Sequence, residues 1–351
     1  IKKERKRRNM SNINEKNALL KFNELIENEI KEILTENDCK RFLRARKWEV
    51  DKAIELAQKW YHWYTSPIPG GDGATPRNIL DKPDPKEHIF KRLTPHANMG
   101  IDKHGRPIYW EMTGLVSTRF LELIKHITLD ELVARHIRQQ ELSIRRLQYQ
   151  SQIRGENIEK QICIMNLKDL SYSLDTRALA TFHKTLAIDQ QYYPERLQYL
   201  FMINAPWFFT ATWAMVKNWI DPVTADKIKI LGSNFIDTLR EHIPDEQIPP
   251  ELGGSHPDFR WQWPWPEDTG ISEYQLGYTT TSPNNSDDTQ NKSNNNNNNN
   301  DGSNNSDNNQ DDNEEAIFPL GYIPSSSSSS STTSSSSLPF SLLSYLSITS
   351  I

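Results

Sequence analysis

With 351 residues, 25% of them charged, and a formal net charge of −5, the chain has room for one sizeable domain or two small ones, and its acidic balance argues against general nucleic-acid affinity. Its two cysteines, Cys39 and Cys163, stand in no CxxC or metal-ligand spacing, which argues against a zinc site or local redox pair and makes a reducing, intracellular setting the default. No apolar run reaches the roughly 18–20 residues that span a bilayer.

The run IKKERKRR marks residues 1–12 as a basic, solvated arm without fixed structure. Residues 13–75 read as a helical unit. Thr35-Glu36-Asn37-Asp38 fits a capping box that opens a helix, with Asp standing where the longer Glu is the better partner. A second helix starts near Asp51, where Val50, Ala53, Ile54, Ala57, Trp60, Tyr61 and Tyr64 form one stripe. Turn chemistry in SPIPGGDGATP, Ser66 to Pro76, closes the unit.

Residues 76–278 are of a different kind, α/β. Pro107 to Met112 alternates as a strand, and Leu129 to Gln150 is a long helix. Ile162 to Leu167 is a short, continuous apolar run, as in a strand buried on both faces. A helix over Leu174 to Gln191 and a second buried strand over Leu197 to Ile203 complete a crossover, which implies a parallel pair. Ile228 to Leu231 is a further strand and Phe235 to Ile243 a further helix. The aromatic run Phe259 to Pro266 reads as chain packed over this lobe. Residues 279–351 are rich in Asn and Ser and bury too little apolar surface to offset the entropy of ordering, so a disordered tail is expected.

The chain carries no GxSxG, HExxH, Walker or GxGxxG motif. What stands out is cations placed where a core is expected. In DCKRFLRARKW, Cys39, Phe42, Leu43 and Arg46 follow helical spacing, so Arg46 continues the apolar stripe inward and Lys47 leans the same way, while Arg41 and Arg44 fall elsewhere. An inward cation demands an anion, either a ligand or a buried partner such as Asp51 or Glu195. In DPVTADKIKIL, Asp221 caps a short helix with Pro222 at its first position, which sets Thr224 and Lys227 on one face: a hydroxyl and an ammonium suited to phosphate. Between these segments, Pro206 opens an aromatic helix that either belongs to a core or walls an apolar cavity.

FLRARKWEVDKA, DKHGRPIYWEMTG, YYPERLQYLFMINAP, DPVTADKIKILG and IPPELGG, in that order, resemble the CRAL-TRIO lipid-binding family, in particular its secretory-pathway phosphatidylinositol transfer proteins. The resemblance implies a small helical unit before an α/β lobe whose mostly parallel sheet floors a large hydrophobic lipid pocket. It implies a phospholipid, phosphatidylinositol above all, held at its head group by Arg46, Lys47, Glu195, Thr224 and Lys227. Tyr109, Cys163 and Tyr193 would line the pocket, and the helix carrying Phe208, Phe209, Trp213 and Val216 would gate it. Gln161 and Cys163 replace the Ser and Thr with which family members bind phosphatidylcholine, and Asn98 and Glu141 stand in place of tyrosines, so the second lipid is left open. The implied protein is a monomer without catalytic activity, without a cofactor other than bound lipid and without nucleic acid. It would be cytoplasmic, touching membranes transiently, with Golgi or endosomal membranes suggested by the resemblance alone. Two other classes fit the same residues: a carrier of a sterol, tocopherol-like or retinoid molecule, and a lipid-sensing adaptor without transfer activity.

Overall fold

The computed structural model describes residues 2–172, 175–209, 213, 214, 217, 220–259 and 261, so the Asn/Ser tail lies outside the described residues. The N-terminal segment is helical from α1 (Lys2–Leu25), so the basic run, expected as an unstructured arm, forms the first turns of a helix. Phe22 near the end of α1 is fully buried, and α1 packs on α4 (Val50–Thr65). After the single turn α2 (Asn28–Lys31), the capping box read from the sequence is formed: Thr35 Oγ1 accepts from the Asp38 amide, and Asp38 accepts from the Thr35 amide, opening α3 (Glu36–Ala45). Such a cap contributes about 1 kcal/mol. Cys39, Phe42 and Leu43 of α3 meet Ala53, Ala57 and Trp60 of α4 in one core. Trp63 stacks on Tyr192 with ring centroids 4.1 Å apart, which ties this helical unit to the lobe that follows.

The lobe begins with α5 (Glu87–Leu93) and is built on a five-stranded sheet in the order β1-β2-β3-β4-β5. β1 (His96–Ala97) runs antiparallel to β2 (Ile108–Glu111), while β2, β3 (Gln161–Asn166), β4 (Leu197–Ile203) and β5 (Ile228–Ile230) are parallel. The connections carry α6 (Thr113–His126), α7 (Leu129–Arg154), α8 (Thr176–Tyr192) and the single turn α9 (Pro222–Ala225). Every residue of β3 is buried, as its continuous apolar run implies for a strand covered on both faces.

Alternation along the strands sorts two cores. Tyr109, Cys163, Met165, Leu200 and Met202 face Phe120 and Leu123 of α6 and Ala178 and Leu186 of α8. Ile108, Trp110, Ile164, Phe201 and Ile203 face the opposite way, onto Leu239 and Ile243 near α10 (Ile236–His242). Phe259 sets its ring edge-on to Trp110 at 5.6 Å, so the start of the aromatic run does pack over the lobe. α6 is close-fitted to the sheet at Gly114, where a Cβ would stand 1.7 Å from the Lys168 carbonyl oxygen.

Candidate functional site

Three parallel strands side by side present their N-terminal ends on one edge, so the residues just before them are brought together. Those residues are Lys160 before β3, Glu195 and Arg196 before β4, and Lys227 before β5. Lys160 Nζ lies 3.3 Å and Lys227 Nζ 3.9 Å from the same atom, Glu195 Oε2. Glu195 adopts φ 63°, a left-handed conformation costing a non-glycine residue roughly 1–2 kcal/mol, and such strain recurs at functional sites. Burial pushes the Lys227 ammonium below its ordinary pKa; Glu195 opposes this and Lys160 adds to it. Two half-buried ammonium groups thus share one carboxylate.

Thr224 stands one turn before Lys227. Asp221 caps α9, accepting from the Val223 amide at 2.9 Å and the Thr224 amide at 3.4 Å, with Pro222 at the first helical position as the sequence implied. The Thr224 carbonyl accepts from the Lys227 amide at 3.0 Å, so Thr224 and Lys227 lie on one short turn at this edge.

The cations of the RARK segment fall differently from expectation. Periodicity placed Arg46 inward, but α3 ends at Ala45. Arg46 is the residue after it, with φ −118°, so helical spacing no longer aims its side chain. It is half-buried and its guanidinium bonds the Ala45 carbonyl at 3.0 Å. Lys47, at φ 52°, is exposed. Asp51, one alternative partner for these cations, pairs with Lys21 instead. The inward arginine is Arg41, which periodicity set on another face of the wheel. It is 3% exposed, and it donates to Asp38 Oδ1 at 3.1 Å and to the Pro194 carbonyl at 3.3 Å. Arg196 reaches the same Asp38 oxygen at 3.2 Å, and Arg44 pairs with Glu159. Burial works against the Asp38 carboxylate, but Arg41 and Arg196 outweigh it and hold its pKa below the ordinary value. Burial, with Arg41 nearby, lowers Arg196 to about 10. Arg41, Arg44, Lys160, Arg196 and Lys227 are five cations, paired with the three carboxylates Asp38, Glu159 and Glu195. Within these pairs the cations outnumber the carboxylates by two.

Of the residues expected in the pocket, Tyr109 and Cys163 are cross-strand partners on one sheet face, both fully buried. Burial, reinforced by Asp189 and Glu111, pushes the Cys163 thiol well up, so it is inert at neutral pH. Tyr193 answers to other neighbours: its hydroxyl donates to Glu141 at 2.7 Å, and its ring meets Trp63 edge-on at 5.5 Å. Phe208, Phe209 and Trp213 pack against the core of the Cys163 face, and Phe208 meets Tyr172 edge-on at 4.9 Å. Trp207 beside them is 84% exposed. Val216 and most of the expected gate helix lie outside the described residues.

Sequence reasoning passed over Arg41, Lys160 and Arg196, and also a polar interior along α7. His136 and Gln140 both bond Asp189 Oδ1, at 2.7 and 2.8 Å, and Arg146 donates to the Ile108 carbonyl at 2.8 Å. The available signal was positional: Lys160, Arg196 and Lys227 each immediately precede an apolar strand run.

Residues 97–254 match the CRAL/TRIO domain and residues 18–58 the CRAL/TRIO N-terminal domain. The chain is 32% identical to the SEC14 cytosolic factor of Kluyveromyces lactis over 246 residues, covering 68% of this chain and 78% of that protein. It is 30% identical to the phosphatidylinositol/phosphatidylcholine transfer protein SFH12 of Arabidopsis thaliana, covering 61% of this chain and 38% of that one. The crystal structure of Sfh5 superposes with a TM-score of 0.53 at 16% identity, covering 63% of this chain and 81% of that one, a likeness of fold.

Proposed function

Because the chain belongs to the CRAL/TRIO family, we propose that it binds a phospholipid, phosphatidylinositol above all, and moves it between membranes without making or breaking a covalent bond. The observation that carries the reading is the convergence of Lys160 and Lys227 on the single carboxylate of Glu195, beside Thr224. A phosphate there accepts from the surplus ammonium and from the Thr224 hydroxyl, while Glu195 accepts from inositol hydroxyls. The Arabidopsis relative is named a phosphatidylinositol/phosphatidylcholine transfer protein, which supports the same reading.

Physical chemistry supplies the need for membrane contact. Each methylene of an acyl chain costs about 0.8 kcal/mol to expose to water, so a two-chain lipid leaves its carrier where the chains stay dry. Trp207, with the half-exposed Tyr172 nearby through Phe208, gives the aromatic surface suited to a membrane interface. In this reading the segment from Pro206 to Asp221 is the gate, and the protein works as a monomer at membrane surfaces.

The test is transfer of radiolabelled phosphatidylinositol between vesicles. Wild type transfers it, and Thr224→Ala combined with Lys227→Ala reduces transfer to background while circular dichroism and thermal unfolding stay native. Undiminished transfer by a folded double variant defeats the assignment.

A further inference from the structure

α7 runs opposite to β2 and its parallel neighbour β3, since Arg135 bonds His96, the register partner of Glu111, while Arg146 further along bonds the carbonyl of Ile108; residues late in α7 therefore lie level with the start of β3. Arg146 of α7 donates to the carbonyl of Ile108, whose register partner on β3 is Ile162, and its charge acts on Cys163. One further turn of α7, about 6 Å along the axis, reaches Gln150. One residue back along β3 from Ile162, about 3.3 Å, is Gln161. The two amides therefore stand within about 3 Å of one level of the lobe, Gln161 on the sheet face that carries Tyr109 and Cys163. Gln150 is 1% and Gln161 2% exposed. Nevertheless, Gln150 Nε2, Gln150 Oε1 and Gln161 Oε1 have no hydrogen-bond partner among the described residues. Exchanging the oxygen and nitrogen of Gln150 changes nothing, because both of its atoms are unmet.

Leaving buried polar atoms unpaired is costly, so each such atom calls for a physical explanation. We infer that Gln150 and Gln161 form a second polar subsite, which takes the free hydroxyl of an uncharged lipid. The inference rests on the lipid-carrier reading above. The chemistry selects the group: an amide nitrogen asks for an acceptor and an amide oxygen for a donor, and a hydroxyl supplies both. A choline head group does not, since its quaternary nitrogen has no hydrogen to donate and is met by aromatic faces or carboxylates. Diacylglycerol and sterols share the required chemistry.

The experiment presents the full-length protein with phosphatidylcholine vesicles containing traces of labelled diacylglycerol, cholesterol, phosphatidylcholine or phosphatidylinositol in separate arms, and measures label extracted after vesicles are sedimented. The subsite predicts that wild type extracts diacylglycerol or cholesterol at least tenfold better than phosphatidylcholine; which of the two arms responds identifies the source of the hydroxyl. Gln150→Leu with Gln161→Leu reduces that extraction about tenfold and leaves phosphatidylinositol within twofold. Gln150→Met and Gln161→Met, singly, keep the side-chain shape if the double variant folds poorly, and each gives a smaller loss in the same direction. Extraction of neither hydroxyl lipid by wild type overturns the inference, as does extraction that the glutamine variants leave unchanged, the outcome if water alone satisfies the amides. A wild type that extracts a hydroxyl lipid through the glutamines but not phosphatidylinositol upholds the subsite and removes the phosphatidylinositol reading.

Discussion

Asp38 does two jobs with one carboxylate. Its Oδ2 closes the capping box with Thr35, while its Oδ1 takes Arg41 and Arg196. Asp38→Ala therefore leaves two nearly buried guanidinium groups without their partner, and the expected cost is about 3–5 kcal/mol in urea unfolding. Lys47→Ala, at an exposed position, is expected to change stability by less than about 0.5 kcal/mol in the same measurement. The contrast shows what local sequence could reveal. The capping box was legible because all its atoms lie within four residues. Arg41 was not, because the groups that bury it come from the lobe: the Pro194 carbonyl is 153 positions away. Arg46 was misplaced for a related reason, as a wheel drawn past Ala45 assumes a helix that has ended.

At the scale of elements, β3 and β4 were legible from apolar runs and β2 from alternation, with bounds shifted by no more than a residue. α6 went unread. Its cap position is Met112, which makes no side-chain cap bond, and Gly114 in its first turn weakens any helical reading. That glycine is there for contact rather than conformation, since the loop after β3 lies against it. Gly114→Ala forces the two apart and is expected to destabilise the lobe by about 3 kcal/mol or more, read as a lower midpoint of thermal unfolding. A variant with native stability shows that the α6 contact is looser than described. The alignment of Lys160, Glu195 and Lys227 belongs to this scale too: Glu195 and Lys227 stood out separately in the sequence, Lys160 did not, and the parallel pairing of β3, β4 and β5 brings the three together.

Across the whole molecule, two of the carboxyls buried in the lobe, Glu111 and Glu141, are pushed well above the ordinary carboxylate range. Burial raises Glu111 from 4.5 to about 7 against the bonds it accepts from Tyr109 and Thr113. Burial likewise raises Glu141 from 4.5 to about 7 against the bond from Tyr193. Between those two values the folded state holds protons that the unfolded state has released, so stability falls as pH rises through this window. The contribution is complete below 4.5, and its loss above 7 amounts to at most about 3 kcal/mol per carboxyl. Urea unfolding at pH 5 and pH 8 should show wild type weaker at the higher pH, and Glu111→Gln with Glu141→Gln should flatten the difference. A wild type stronger at pH 8 shows that these carboxyls are ionised in the folded state. The same interior holds side chains whose burial no local pattern could reveal. Gln150 and Gln161 are ordinary glutamines until the fold removes them from water and leaves both side-chain polar atoms of Gln150 and the Oε1 of Gln161 without a hydrogen-bond partner among the described residues.

The proposed function rests on the cations at the strand edge taking a phosphorylated lipid, and the most direct measurement is mass spectrometry of the lipid that stays bound through purification. Wild-type protein is predicted to carry phosphatidylinositol, and the Thr224→Ala, Lys227→Ala protein, folded and purified identically, to have lost it. Phosphatidylinositol absent from the wild type, or equally abundant in both proteins, contradicts the account.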